Sequence, residues 1–107
     1  MKIALILSSN DPEKNWNALR LANYAVTEGD EVEIFLLGEG VEYEKTSNEK
    51  FNITQQLDTL LKSGKAEIKA CGTCMKSRNQ SGSETCPISG LKELYELIAS
   101  SDKVLTF

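Results

Sequence analysis

The sequence predicts one α/β domain in which a mainly parallel sheet lies between two layers of helices. Short apolar runs alternate along the chain with stretches of helical periodicity, and glycine follows two of the helical stretches just before the next strand. The length of 107 residues suits one compact domain, and 40% hydrophobic with 26% charged residues is typical of globular proteins. We therefore expect a single three-layer α/β/α domain over residues 1–107, with right-handed crossovers between strands.

The chain begins with a predicted strand followed by a long helix. Residues 2–8 are nearly all apolar, which is typical of a strand covered on both faces. Asp11 and Pro12 predict the start of a helix, because Asp caps helices and Pro is favoured at the first helical position. An apolar stripe through Leu19 continues this helix, and Gly29 predicts its end.

A second strand and a second helix follow. Residues 31–37 predict a strand with one partly open face. Residues 38–40 predict a turn, and residues 41–50 are polar and acidic, which predicts a loop. An apolar stripe over residues 53–61 predicts the second helix, which we expect to end at Gly64.

The last third of the chain completes the alternation of strands and helices. Residues 66–70 predict a third strand, and residues 71–78 predict the beginning of a short helix. Residues 79–87 are rich in Ser, Gly and Asn, which predicts a loop. Ser89 predicts the cap of a last helix, and residues 103–107 predict the final strand.

The composition excludes several classes of function. The chain has no histidine, which excludes Ser-His-Asp and Cys-His hydrolases and any zinc site with a histidine ligand. The net charge of −4 argues against binding to nucleic acid. No apolar run reaches the roughly 18 residues that a membrane-spanning helix requires, so we expect no membrane partner.

The first apolar run is also too short for a signal peptide, so we expect a cytoplasmic protein with reduced thiols. The loop after the first strand, Ser8-Ser9-Asn10, lacks the Gly and Thr density of flavin phosphate-binding loops. Aromatic side chains that could enclose a flavin are sparse as well. We therefore expect no cofactor.

Charge is distributed unevenly along the chain. Residues 28–44 include seven acidic and no basic residues, whereas residues 62–78 include five basic residues and one acidic residue. One interpretation is a solvated face on each side of the domain. The other is an electropositive setting for a thiolate, because the basic stretch contains two of the three cysteines.

Cys71 is the best candidate for a reactive residue. It follows the third predicted strand, and chemistry in open α/β sheets gathers beyond the carboxyl ends of the strands. Gly72 permits a tight turn there, and the N–H groups of the following helix point back toward the sulfur. Lys69, Lys76 and Arg78 lie close in sequence, so we expect the thiolate to be favoured over the thiol.

Cys74 lies three residues after Cys71, so both sulfurs share one face if this segment is helical. A thioredoxin-like redox pair is possible, but such folds need a facing proline loop, and only Pro12 and Pro87 exist. A metal- or cluster-binding module would use Cys71, Cys74 and Cys86, with a further ligand from another subunit. The thiols could also be incidental core residues of an oligomeric interaction protein.

Two motifs carry a family resemblance. Residues 71–78 read Cys-Gly-Thr-Cys-Met-Lys-Ser-Arg, and the chain ends Ser-Asp-Lys-Val-Leu-Thr-Phe; together these motifs are fairly specific. With the apolar first strand, the helix end at residues 24–29 and the strand at residues 32–37, they extend over nearly the whole chain. The chain thereby resembles the DsrE/DsrF-like family, which includes the TusD-type sulfur-relay subunits.

The resemblance implies a flavodoxin-like α/β fold assembled as a homotrimer or homohexamer. It also implies that Cys71 carries a persulfide and that Arg78 occupies the family's matching downstream position. Cys74 is shared by a subgroup of small members with the Cys-Gly-Thr-Cys motif. The sequence departs from the relay subunits at Asn79, where many relatives have Gly, and in having Cys86.

The resulting hypothesis is a sulfur carrier, sulfurtransferase-like rather than a turnover enzyme. A donor protein passes the outer sulfur of a persulfide to Cys71, which hands it to a thiol on an acceptor protein. Cys74 attacks the Cys71 persulfide, either to receive the sulfur or to release sulfide. Exchange between sulfur atoms needs no histidine base. The reacting residues are thus Cys71 and Cys74, without a metal, and the predicted binding residues are Gly72, Thr73, Lys76 and Arg78.

Overall fold

The structure, a computed structural model, describes residues 1–82 and 87–107. Its elements in chain order are β1 (Lys2–Leu7), α1 (Pro12–Thr27), β2 (Glu31–Leu36), a 3-10 helix (Gly38–Thr46), α2 (Ile53–Lys62), β3 (Ala66–Cys71), α3 (Gly72–Lys76), β4 (Ile88–Ser89), α4 (Leu91–Ser100) and β5 (Lys103–Thr106). The five strands form one sheet in the order β4-β3-β2-β1-β5, and every pair is parallel. The predicted α/β class with a parallel sheet is confirmed.

Capping side chains and glycine set the helix ends. The Asp11 carboxylate accepts a hydrogen bond from the Lys14 N–H at 2.9 Å, and Pro12 is the first residue of α1, as predicted. Gly29 follows the end of that helix with φ of +92°, a conformation that glycine adopts without steric cost. Asn52 caps α2 by accepting a hydrogen bond from the Gln55 N–H at 3.0 Å.

The segment after β2 differs from its prediction. The turn and the first part of the predicted loop form the 3-10 helix instead, and Val41 and Tyr43 are buried there. Because the intervening residues are acidic, the sequence shows too little apolar periodicity to reveal this element. Tertiary burial of the two side chains therefore decides the local structure.

The approach to α4 also differs from its prediction. β4 lies at the end of the predicted loop, where Ile88 is paired with Ala70 of β3. A strand of two residues is too short to show an alternation of apolar and polar residues in the sequence. The N-cap of α4 is Gly90 rather than Ser89, and the Gly90 N–H donates to the Glu93 carboxylate at 3.0 Å.

Two unequal cores lie on the two faces of the sheet. The larger core packs α1 and α2 against the strands, with Leu5, Ile34 and Ile68 pointing to that side. The smaller core packs α4 against the other face, and its buried residues are Ala4, Phe35, Cys71 and Leu97. In the part of the chain that the structure describes, no helix is long and apolar enough to cross a bilayer.

The outer surface of α4 and the edge strand β5 expose apolar side chains. Leu91 is 72% and Tyr95 is 73% exposed, and with Ile98 they repeat at helical spacing on one face of α4. On β5, Val104 and Leu105 are also exposed, and Val104 lies on the α4 side of the sheet because it pairs with Ala4 of the smaller core. We call Leu91, Tyr95, Ile98 and Val104 the α4–β5 surface, a candidate contact surface on this side of the sheet.

The 3-10 helix is pressed against the carboxyl end of β1. The Leu37 N–H donates to the Leu7 carbonyl at 2.9 Å, and the Gly40 N–H donates to the Leu37 carbonyl at 2.9 Å. A Cβ atom on Gly40 would lie 2.0 Å from the Leu7 carbonyl oxygen, a distance far shorter than any that real Cβ atoms show. Glycine at position 40 therefore lets the 3-10 helix lie against the carboxyl end of β1.

We predict that Gly40→Ala lowers the free energy of unfolding by about 3 kcal/mol or more, because the added methyl group meets backbone rather than a movable side chain. Gly29→Ala is the control, since its Cβ would meet nothing within 4 Å and it bears only the cost of its positive φ. That cost is about 1–2 kcal/mol. Urea unfolding of both variants measures the difference, and equal losses would contradict the packing explanation.

Candidate functional site

Cys71 lies where β3 ends and α3 begins, at the carboxyl edge of the sheet. It is the last residue of β3 and the N-cap of α3, and its extended backbone still pairs with Ser89 of β4. Its side chain points to the smaller core, with Phe35 and Leu97, and the residue is only 6% exposed. The thiol thus sits at the predicted edge of the sheet but beneath the surface.

The structure brings the second predicted thiol, Cys74, into contact with the first. Cys74 is the third residue of α3 and is partly buried between the two cores. Its side chain packs against the smaller core that contains Cys71, close enough to influence the pKa of the Cys71 thiol. The Gly38 N–H, from the start of the 3-10 helix, donates to the Cys74 sulfur at 3.2 Å. Three chain segments therefore meet at this pair of free cysteines.

The expectation that the Cys71 thiolate is favoured at rest is wrong. Burial raises the pKa of the Cys71 thiol, because the charged form loses its hydration. Backbone N–H groups of Cys74 and Thr73 point toward the sulfur and lower the pKa, while the hydrogen bond with the Cys74 side chain raises it. The net result is a raised pKa, so burial outweighs the backbone donors.

Two of the three basic residues near Cys71, Lys69 and Arg78, are paired with acidic residues, which the sequence did not reveal. Lys69 Nζ lies 2.9 Å from the Glu33 carboxylate, and that hydrogen bond raises the pKa of Lys69. Arg78 Nε lies 3.5 Å from the Glu42 carboxylate. Both acidic partners come from the acidic stretch, so the two oppositely charged stretches pair with each other instead of surrounding a thiolate.

The four predicted binding residues occupy different places around the thiols. Gly72 lies beneath Ile88, whose Cγ2 would be 2.6 Å from an added Cβ. Thr73 is exposed and offers its backbone N–H to Cys71. Lys76 is exposed in the last turn of α3. Arg78 Nη1 donates to the Cys74 carbonyl at 3.2 Å, so Arg78 holds α3 from its far end.

Two residues of the site were missed by sequence reasoning. Gly38 supplies the hydrogen bond to Cys74, and Glu42 anchors Arg78. The signal for Gly38 was its place after β2, because the carboxyl ends of neighbouring parallel strands meet at one edge of the sheet. Nothing in the local sequence distinguishes Glu42 from the other acidic residues around it.

The predicted three-cysteine metal module is only partly within the described residues. Cys86 lies outside them, so its role stays a prediction. Within residues 1–82 and 87–107, no group of three or more His, Cys, Asp or Glu side chains is placed to hold a metal ion.

Comparison with known proteins gives a family and a fold. The sequence model of the DsrE/DsrF-like family matches residues 1–107. An uncharacterized protein of Methanopyrus kandleri is 36% identical over 101 residues, covering 89% of this chain and 83% of that protein. An uncharacterized protein of Methanocaldococcus jannaschii is 35% identical over 115 residues, covering all of both chains. The crystal structure of the ychN protein from E. coli superposes with a TM-score of 0.83 and 30% identity over all of both chains.

We predict that alkylation of Cys71 responds to pH as a buried thiol does. Its rate should keep rising with pH above about 8.5, the ordinary thiol pKa, because the raised pKa leaves less thiolate at any lower pH. Peptide-resolved mass spectrometry after iodoacetamide pulses measures the rate, and the same peptide in urea-unfolded protein is the reference. A midpoint at or below that of the unfolded chain would contradict the prediction.

Proposed function

Because this chain belongs to the DsrE/DsrF-like family, we propose that it carries transferable sulfur as a persulfide on Cys71. The observation that supports this most directly is that Cys71 and Cys74 pack in the same smaller core at the carboxyl edge of the sheet. Two neighbouring thiols can exchange a sulfur atom without a diffusing intermediate. The Cys-Gly-Thr-Cys motif further suggests membership of the small subgroup that shares this pair.

The setting of Cys71 suits a store of sulfur more than a rapidly reacting thiol. The buried thiol is protonated at neutral pH, so it reacts slowly with chance electrophiles. The backbone N–H groups of Thr73 and Cys74 would stabilise negative charge that develops at the sulfur during transfer. Burial by Phe35 and Leu97 would restrict access of water and small thiols to the stored persulfide.

Transfer would be a sequence of attacks by thiolate on the outer sulfur of a persulfide. In each step a new S–S bond forms to the attacking sulfur, and the thiolate of the previous carrier leaves. The outer sulfur keeps its oxidation state, so no oxidant or reductant is consumed. Proteins with persulfide and thiol groups are the proposed donor and acceptor partners, in the cytoplasm, where thiols remain reduced.

We also propose that the chain self-associates, as a homotrimer or homohexamer. The support is the α4–β5 surface, where Leu91 and Tyr95 expose most of their apolar area. Exposed apolar side chains that cluster on one face of a helix are typical of interaction sites. Because α4 also covers Cys71 through Leu97, assembly at this surface would place subunits beside the sulfur site.

The central prediction is that Cys71→Ser abolishes retained sulfur. Reduced protein is incubated with glutathione persulfide, the donor is replaced by glutathione, which accepts sulfur from accessible persulfides, and intact mass and peptide mapping follow. Wild type should retain one additional sulfur atom on Cys71. Ser77→Ala is the control, because it removes only a hydroxyl that hydrogen-bonds within α3. Retention by Cys71→Ser equal to that of wild type would overturn the proposed function, and near-stoichiometric zinc or iron in the purified protein would favour a metal module.

A second prediction concerns assembly. Leu91→Glu should shift the protein toward the monomer in light scattering, because it places a charge in the exposed apolar surface of α4. Leu21→Glu on α1 is the matched control, since Leu21 is exposed but outside the α4–β5 surface. A monomeric wild type at working concentration, or equal shifts in both variants, would contradict assembly through this surface.

A further inference from the structure

We infer that Cys74 is the entry thiol, which first accepts sulfur from the donor and last holds it before release, and that Cys71 is the storage thiol behind it. This inference rests on the proposed function and assigns an order to the two cysteines. It depends on their unequal exposure, on the hydrogen bond that the Cys74 sulfur accepts from Gly38 and on the anchoring of α3.

The two thiols differ in how a donor can reach them. Cys71 is 6% exposed and packs in the smaller core beneath α4. Cys74 is partly exposed, one helical turn further from the strand. A persulfide donor must bring its outer sulfur into contact with the attacking thiol, so access decides which cysteine reacts first.

A hydrogen bond also distinguishes the two sulfurs. The Gly38 N–H donates to the Cys74 sulfur at 3.2 Å. Because a hydrogen-bond donor stabilises negative charge on its acceptor, the Gly38 amide is placed to stabilise Cys74 when it leaves as a thiolate.

The relay then balances in two steps. The Cys74 thiolate attacks the outer sulfur of the donor persulfide, the Cys74–S bond forms, and the donor leaves as a thiolate. The Cys71 sulfur next attacks the same outer sulfur, and the Cys71 proton passes to the departing Cys74 thiolate. The product is a Cys71 persulfide beside a Cys74 thiol. Reversing the steps delivers the sulfur to an acceptor thiol at the surface.

Arg78 is the positioning residue for this relay. Its guanidinium donates to the Cys74 carbonyl and pairs with Glu42 of the 3-10 helix, the same helix that supplies the Gly38 amide. One side chain therefore ties the segment with the entry thiol to the segment with its hydrogen-bond donor. In this interpretation Arg78 does not contact the transferred sulfur, in contrast to the binding role predicted from the sequence.

Rapid-quench alkylation after mixing with glutathione persulfide tests the order. Peptide mass spectrometry then gives the position of the extra sulfur against time. In wild type the sulfur should appear first on Cys74 and later on Cys71. Cys74→Ser should load Cys71 about tenfold more slowly or worse, because the donor must reach the buried thiol directly. Cys74→Ser should also release the stored sulfur to an acceptor thiol more slowly by a similar factor.

Further variants separate this inference from the proposed function. Cys71→Ser should load Cys74 at the wild-type initial rate but pass the sulfur to glutathione once glutathione replaces the donor. Arg78→Gln should slow the loading of sulfur, while Arg78→Lys, which keeps a cation near Glu42, should restore part of the rate.

Cys74→Ala repeats the Cys74→Ser test without a hydroxyl group. An unchanged urea midpoint shows that both Cys74 variants fold.

The possible failures are distinguishable. If wild type stores sulfur on Cys71 and Cys74→Ser loads at the wild-type rate, the entry role of Cys74 is overturned while the proposed function stands. If neither cysteine of wild type retains sulfur, the proposed function itself fails.

Discussion

The hydrogen bond from the Gly38 amide to the Cys74 sulfur is the contact on which the geometry of the site depends. It joins the segment after β2 to the helix after β3, two elements that are adjacent only because their strands are parallel neighbours. Arg78 joins the same two segments, because it donates to the Cys74 carbonyl and pairs with Glu42, so α3 is fixed relative to the sheet. The Cys74 thiol is therefore held against Cys71 by tertiary contacts, and five residues of helix could not do this alone.

At this edge of the sheet, burial raises the pKa of the Cys71 thiol and neighbouring backbone N–H groups lower it. Burial is the larger effect, so Cys71 is protonated at rest. A thiolate stabilised by free lysines would require those lysines near the sulfur without partners. Instead, Lys69 is paired with Glu33 on the same sheet face, and Arg78 is paired with Glu42. Desolvation of Cys71 by Phe35 and Leu97 is then opposed by the backbone N–H groups of Cys74 and Thr73, which lower the pKa less than burial raises it. A protonated, protected thiol beside a more accessible one is the result.

Sequence reasoning recovered the fold because strands and helices leave local periodicity, as in the apolar run of β1 and the Asp11-Pro12 start of α1. It also placed Cys71 at the correct end of β3. It failed where tertiary contacts decide the outcome: the 3-10 helix forms because Val41 and Tyr43 are buried, and β4 forms by pairing with β3. The pairing of acidic with basic stretches was unpredictable for the same reason, since residues far apart in sequence meet across neighbouring strands.

Two thiols of unequal access resolve a conflict that a single thiol cannot. A cysteine that meets donor and acceptor proteins must be exposed, and an exposed persulfide exchanges with any small thiol that reaches it. A buried cysteine protects the sulfur but excludes the partners that deliver it. Placing Cys74 one helical turn outside Cys71, with both side chains packed in the smaller core, separates the two tasks while keeping the transfer intramolecular. The raised pKa of Cys71 then aids storage, because its proton is available to the departing Cys74 thiolate at the moment of transfer.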